Sequence, residues 1–150
     1  MDPRQYLVIA SELAACTPVE YRRSSINRAY YAAYGVAHQA LESLGCRIPT
    51  RGIGHLVVRE ILQDSTDEGF QDAGHFLCQL YAWRHKADYR YENPLPEERR
   101  CANDCVRLAG YAINRVDEAM KDRVAARAAV DAALVARILN PLLALLGSGR

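Results

Sequence analysis

Thr17-Pro18-Val19-Glu20-Tyr21-Arg22-Arg23-Ser24-Ser25-Ile26-Asn27-Arg28-Ala29-Tyr30-Tyr31-Ala32-Ala33-Tyr34 is the stretch whose reading decides the fold. Thr17 followed three residues later by Glu20 has the spacing of a capping box, and Pro18 stands where the first helical turn needs no N–H. Downstream, Ile26, Ala29, Tyr30, Ala33, Ala37, Ala40, Leu41 and Leu44 recur at intervals of three and four. That period places them on one face of a helix and marks the face as buried. Gly45 supplies the stop, since a helix commonly ends on a left-handed glycine. The spacing therefore predicts a helix running to Leu44.

The same punctuation divides the rest of the chain. Upstream, Asp2-Pro3 predicts a first helix with Asp2 as N-cap and Tyr6, Ala10 and Leu13 on one face. Cys46 to Gly54, with Pro49 and Gly52, reads as a loop. A short third helix is expected from about His55 to Gln63. Ser65-Thr66-Asp67-Glu68 is a second capping box, opening a fourth helix that carries Phe70, Leu77, Leu80 and Tyr81 and ends near Tyr91. Pro96-Glu97-Glu98 begins a fifth, with acids where the helix dipole favours them. Its buried face is Cys101, Cys105, Leu108, Ala112, Val116 and Ala119. Arg123 to Leu146, rich in alanine and leucine, is a sixth helix or a continuation of the fifth, with Pro141 kinking or restarting it. Val124, Val130, Leu134, Ile138, Leu142 and Leu145 there are expected to cover an apolar face or extend a dimer contact. Gly147-Ser148-Gly149-Arg150 reads as a flexible tail. Nothing reads as a strand. The chain is thus expected to be all-α, a bundle over residues 1–122 followed by an Ala/Leu-rich helix and tail over 123–150.

Composition bounds the function. A chain of 150 residues buries roughly 70% of its unfolded surface, so neither a cofactor nor a disulfide is needed to hold the fold. The formal net charge is +1, which is not the electrostatic footprint of a general nucleic-acid binder. Any such contact must be local, made by a few arginines. Five cysteines and a polar start, Met1-Asp2-Pro3-Arg4-Gln5, predict a reducing, cytoplasmic setting. Cys101 and Cys105 lie one turn apart, but two thiols without nearby histidines make a poor zinc site, and they read as core. His38, His55, His75 and His85 show no metal-ligand spacing, so no metal is expected, and each reads as a surface or core-edge residue. No apolar run is long and charge-free enough to span a bilayer.

Two segments carry candidate chemistry. On the second helix, Arg28, Tyr31 and Tyr34 fall off the buried stripe. Arg28 suits a phosphate or carboxylate, or else pairs with an acid on a neighbouring helix. On the fourth, Arg84, Asp88 and Tyr91 extend the Leu77-Leu80-Tyr81 stripe, so an arginine and an aspartate stand where the core should be. Buried charges are expensive unless paired, and these two are one turn apart. They form either a structural ion pair or a polar pocket in which Asp88 orients Arg84 toward a phosphate. His85 adjoins them on the next face.

Ser25-Ile26-Asn27-Arg28-Ala29-Tyr30-Tyr31-Ala32-Ala33-Tyr34 resembles the second-helix signature of HEPN-type small helical proteins, and Arg84-x-x-Ala87-Asp88-Tyr89 resembles the signature of their later helix. With the helix order, the resemblance covers roughly residues 5 to 120. It implies a four- or five-helix up-and-down bundle that dimerises so that two motifs meet across the interface. It also implies metal-independent RNA cleavage by an arginine, four to six residues, a histidine and a tyrosine two residues later. Arg84 matches the arginine and Tyr91 the tyrosine, while Tyr89 occupies the histidine position. A phenol with a reference pKa of about 10 is a poor general base near neutrality, though it can donate to a phosphate oxygen. His85, four residues before that slot, is the candidate substitute base. The candidate catalytic residues are therefore Arg84, Tyr89 and Tyr91, with Arg28 and Arg84 binding phosphate. Family members are often paired with a small nucleotidyltransferase as toxin and antitoxin. The resemblance makes Tyr91 a candidate for modification with AMP by such a partner. Two readings follow: a HEPN-type dimer binding RNA or nucleotide phosphates with weak or absent ribonuclease activity, and a non-catalytic interaction module for a nucleotidyltransferase. A helical bundle binding a small molecule among its tyrosines is a third.

Overall fold

The helix from Val19 to Ser43 (α2) is the central element, touching each of the other five helices. Ile26, Ala29, Tyr30, Ala32, Ala33, Val36, Ala37, Ala40 and Leu41 are all buried along it. Five of these are alanines, whose small side chains let neighbouring backbones come close. In this computed structural model, residues 2–50 and 52–147 are described, with side chains described to Leu139. The other helices are α1 (Gln5–Ala15), α3 (Gly54–Asp64), α4 (Glu68–Tyr89), α5 (Arg99–Ala119) and α6 (Arg123–Gly147), with a 3-10 turn at Leu95–Glu97. No strand occurs among the described residues, so the protein is all-α.

The stop at Gly45 has a full hydrogen-bonding explanation. Its φ is +87°, its N–H donates to the Glu42 carbonyl at 2.8 Å, and the Cys46 N–H donates to the Leu41 carbonyl at 3.0 Å. This pair of bonds satisfies carbonyls that the helix end would orphan. The starts differ from the expected capping boxes. Pro18 holds the N-cap position of α2 and no side chain caps it, because an extended Pro18 leads straight into the first turn. At α4 the cap moves two residues on: Asp67 accepts from the Phe70 N–H at 2.9 Å, and Ser65 Oγ accepts from the Asp67 N–H at 3.1 Å. A carboxylate at the N-cap also complements the helix dipole. Pro96 falls in the 3-10 turn rather than in α5, whose first residue is Arg99.

Around α2 pack α1 through Ala10 and Ala14, α4 through Phe70, Ala73, Leu77 and Leu80, and α5 through Ala102, Cys105, Ala109, Ala112 and Val116. Each fully buried Leu or Phe here contributes roughly 1.5–3 kcal/mol. Cys101 and Cys105 are buried, as their stripe position predicts. The chain before α1 is seated through Gly35: a Cβ there would lie 2.6 Å from Pro3 Cβ. Met120 to Asp122 form a turn, so α6 is a separate helix and not a continuation of α5. It packs on α3, burying Ala126, Ala129, Val130 and Ala133, and Arg137 pairs with Glu60 at 2.5 Å. The helix runs unbroken through Pro141. Val124 and Ile138 face solvent instead of covering an apolar face. The side chains of Leu142 and Leu145, and tail residues 148–150, lie outside the described residues.

Candidate functional site

Between α2 and α4 runs a polar seam. Asn27 on α2 donates its side-chain amide to both carboxylate oxygens of Asp88, at 2.8 and 3.1 Å. Asp88 also accepts from Arg84 Nε at 2.9 Å. The side chains of Arg84 and Asp88 are 16% and 23% exposed, so the expected ion pair exists at the edge of the core. Arg84 presents its guanidinium to the rings of Tyr31, 5.3 Å away, and Tyr30, 5.7 Å away. Only its Nε finds an acceptor among the described residues. Its two terminal nitrogens have no hydrogen-bond partner among the described residues, and neither is among the fully buried, unpartnered side-chain atoms there.

Asp88 has a second side. It closes a groove of about 660 Å³ whose walls include Arg28, Tyr89, Tyr91 and Glu20. Arg28 is exposed and lies over the Tyr6 ring at 5.4 Å. It has no acid within ion-pair distance among the described residues, so the neighbouring-helix pairing weighed for it does not form. The groove does not include Arg84. The expected single pocket is thus two faces of one seam: Arg84 lies behind Asp88 against the tyrosines, while Arg28, Tyr89 and Tyr91 lie before it. Tyr89, 59% exposed, packs against His85, whose ring is 5.1 Å away. The substitute base and the residue in the histidine slot therefore share an exposed face.

Tyr91 is not on the α4 stripe. It is 76% exposed, because α4 ends at Tyr89. Arg23 on α2 explains that end. Its guanidinium donates to the carbonyls of Ala87 at 3.1 Å, Asn93 at 2.7 Å and Tyr91 at 3.3 Å, and to Glu97 Oε1 at 2.8 Å. One cation satisfies the helix terminus and fixes the turn that carries Tyr91.

Behind Arg84, a cluster of rings and cations gathers on the buried phenol of Tyr30. Its hydroxyl lies 2.8 Å from His55 Nδ1. The His55 ring lies 4.1 Å from that of Tyr34, and Arg59 lies 4.1 Å from the Tyr81 ring. Burial pushes the Tyr30 and Tyr34 phenols up. Burial, followed by the Arg84 and Arg59 guanidiniums and His38, pulls His55 below the usual imidazole value. His55 is therefore at the core edge, as its isolated position allows, and its hydrogen bond to the Tyr30 hydroxyl is what spacing does not show.

Asn27, Arg23, His55 and Arg59 are the residues that spacing arguments missed. Asn27, Tyr31, Tyr34 and His38 stand at intervals of four, three and four, a polar stripe beside the apolar one that was there to be read. His55 and Arg59 are one turn apart on α3, but nothing local says which face meets Tyr30. Among the described residues no helix is long and apolar enough to cross a membrane. Comparison with family models, with curated proteins and with solved structures finds no match for this chain.

Proposed function

We propose that this chain is a HEPN-type protein that binds RNA or nucleotide phosphates, with a cleavage motif made degenerate by Tyr89. Arg84 binds phosphate, Asp88 orients it, and Arg28, Tyr89 and Tyr91 form the adjoining groove. As the resemblance implies, two copies pair and bring two such motifs together. One observation carries the reading: Arg84 engages Asp88 through Nε, while both terminal nitrogens are without a partner among the described residues. A planar guanidinium fixed on one edge offers its other donors in an orientation that suits phosphate oxygens. Cleavage needs a group that takes the proton of the ribose 2′-hydroxyl, and Tyr89 is ill suited to it near neutrality. Binding without efficient cleavage is the outcome that this residue set favours.

The test pairs RNA binding with RNA degradation in chelator, for the wild type, Arg84→Ala and Arg84→Lys. Arg84→Ala is expected to lose affinity, and Arg84→Lys to recover it only in part, since lysine lacks the planar fork. Equal affinity in all three sinks the reading. A second reading, a non-catalytic module serving a nucleotidyltransferase, draws support from the exposure of Tyr91 on a turn held by Arg23. It expects Arg84→Ala to lower the melting temperature and leave RNA affinity unchanged. A binding curve beside a melting curve separates the two.

A further inference from the structure

The histidine absent from the α4 motif has a counterpart elsewhere in the fold. Tyr30 is fully buried, and its hydroxyl has one partner among the described residues, His55 Nδ1 at 2.8 Å. A buried hydroxyl without an acceptor is costly, which favours the tautomer in which the phenol donates to Nδ1. Neutral imidazole has one N–H. With Nδ1 accepting, that hydrogen sits on Nε2. Nε2 makes no bond to the described residues and is not among their sealed, unpartnered atoms, so this donor is without a protein partner there.

The surroundings are cationic and aromatic. The His55 ring lies against those of Tyr30, Tyr31 and Tyr34 on α2, and the charges of Arg84 on α4, Arg59 on its own helix and His38 on α2 act on it. Arg84 and His55 each lie 5.7 Å from the Tyr30 ring. Arg59 reaches the same cluster over Tyr81, whose ring is 5.9 Å from that of Tyr30. Among the described residues Arg59 pairs with no acid, its Nε donating to the His55 carbonyl at 3.2 Å. Among the described residues, Asp88 is the one carboxylate paired with either of these two guanidiniums.

We propose that His55 completes the phosphate site of Arg84: pinned through Nδ1 by the Tyr30 hydroxyl, it holds its unpartnered Nε2–H as a fixed donor to a phosphate oxygen, supplied from α3 in place of the histidine missing from the Arg84 motif. Arg59 adds charge to the same anion, and Tyr30 is a positioning residue. This inference rests on the phosphate-binding reading of Arg84.

Two measurements test it. Long-range ¹H–¹⁵N correlation on the unmodified protein reads the imidazole tautomer directly. The Nε2–H form is expected for His55, with its signals shifting as a single-stranded oligoribonucleotide is added. An Nδ1–H form, or signals indifferent to the RNA, overturns the inference. Fluorescence anisotropy with the same oligoribonucleotide then compares the wild type with Arg84→Ala, His55→Ala, His55→Gln and Tyr30→Phe. Removing a hydrogen bond to a charged group is expected to weaken binding about tenfold or more for His55→Ala. Gln, which retains an N–H donor, restores part of that loss, and Tyr30→Phe falls between. If Arg84→Ala weakens binding and His55→Ala does not, the inference fails and the reading of Arg84 stands. If neither weakens binding, both fail.

Discussion

Asn27 on α2 holds Asp88 on α4 by donating one side-chain amide to both carboxylate oxygens, at 2.8 and 3.1 Å. The contact satisfies the carboxylate without bringing a second cation, so the charge of Asp88 remains devoted to Arg84. It also makes the geometry of Arg84 a property of two helices and not of one. An i,i+4 pair on a lone helix surface contributes a few tenths of a kcal/mol and wanders among rotamers. Here the acceptor is fixed from the neighbouring helix.

Asn27→Ala is accordingly expected to cost about 1–2 kcal/mol of stability, the range for a lost hydrogen bond to a charged group. It should also weaken RNA binding less than Arg84→Ala does. Chemical denaturation measures the first and anisotropy the second. A variant as stable as the wild type with undiminished affinity means that Asp88 needs no support from α2.

Arg23 should matter more for stability than the exposed arginines do. It serves several carbonyls and Glu97 with a side chain only 12% exposed. Arg23→Ala leaves the end of α4 and the turn to Pro94 without their shared donor. The expected loss is about 2–4 kcal/mol, within the range for breaking a partly buried network. Hydrogen exchange should accelerate first at residues 88–93. Uniform acceleration across the molecule instead assigns Arg23 to global packing and removes its role in seating Tyr91.

The all-α fold was legible because its signals are local. The alanine-rich stripe of α2 and the glycine after Leu44 need only a period of 3.6 and one left-handed residue. The pairing of Arg84 with Asp88 was legible for the same reason, being a one-turn spacing. The site was less so. Tyr91 continued the α4 stripe on paper, but Arg23, sixty-eight residues upstream, draws the chain out of the helix first. His55 lies twenty-five residues from Tyr30 across a loop, and an isolated histidine gives no sign of the phenol it will meet. Capping failed for a subtler reason: Thr17 and Ser65 both fit the pattern, yet Pro18 and Asp67 start their helices later.

His55 should leave a signature in stability against pH. Burial, then Arg84, Arg59 and His38, lower its folded-state value beneath the ordinary 6.5. Tyr30, Tyr31 and Tyr34 face it from α2 and bring no negative charge. In the window below 6.5 the unfolded chain therefore binds the proton more readily than the folded one, and stability falls as pH falls. Above 6.5 the contribution is complete. Melting temperatures of the wild type should drop relative to His55→Gln as pH is lowered from about 7 to about 5. Parallel curves for the two proteins exclude the effect.

If Tyr89 is what disables cleavage, then Tyr89→His should enable it. The substitution restores the spacing of arginine, four residues, histidine and, two residues on, tyrosine, using Arg84 and Tyr91 as they stand. Tyr89 is exposed at the last turn of α4 and supports no core packing, so the variant is expected to fold with an unchanged melting temperature. An imidazole with a reference pKa near 6.5 can take the 2′-hydroxyl proton at neutral pH where a phenol cannot. General-base assistance contributes typically a factor of 10²–10⁴, so cleavage in chelator should rise at least a hundredfold above the wild type and vanish again in Tyr89→His with Arg84→Ala. A gain that survives loss of Arg84 points to contaminating nuclease. No gain at all, in a variant that still binds RNA, means that the deficit does not lie at Tyr89, and the account of this chain as a HEPN-type protein disabled at one position has to be abandoned.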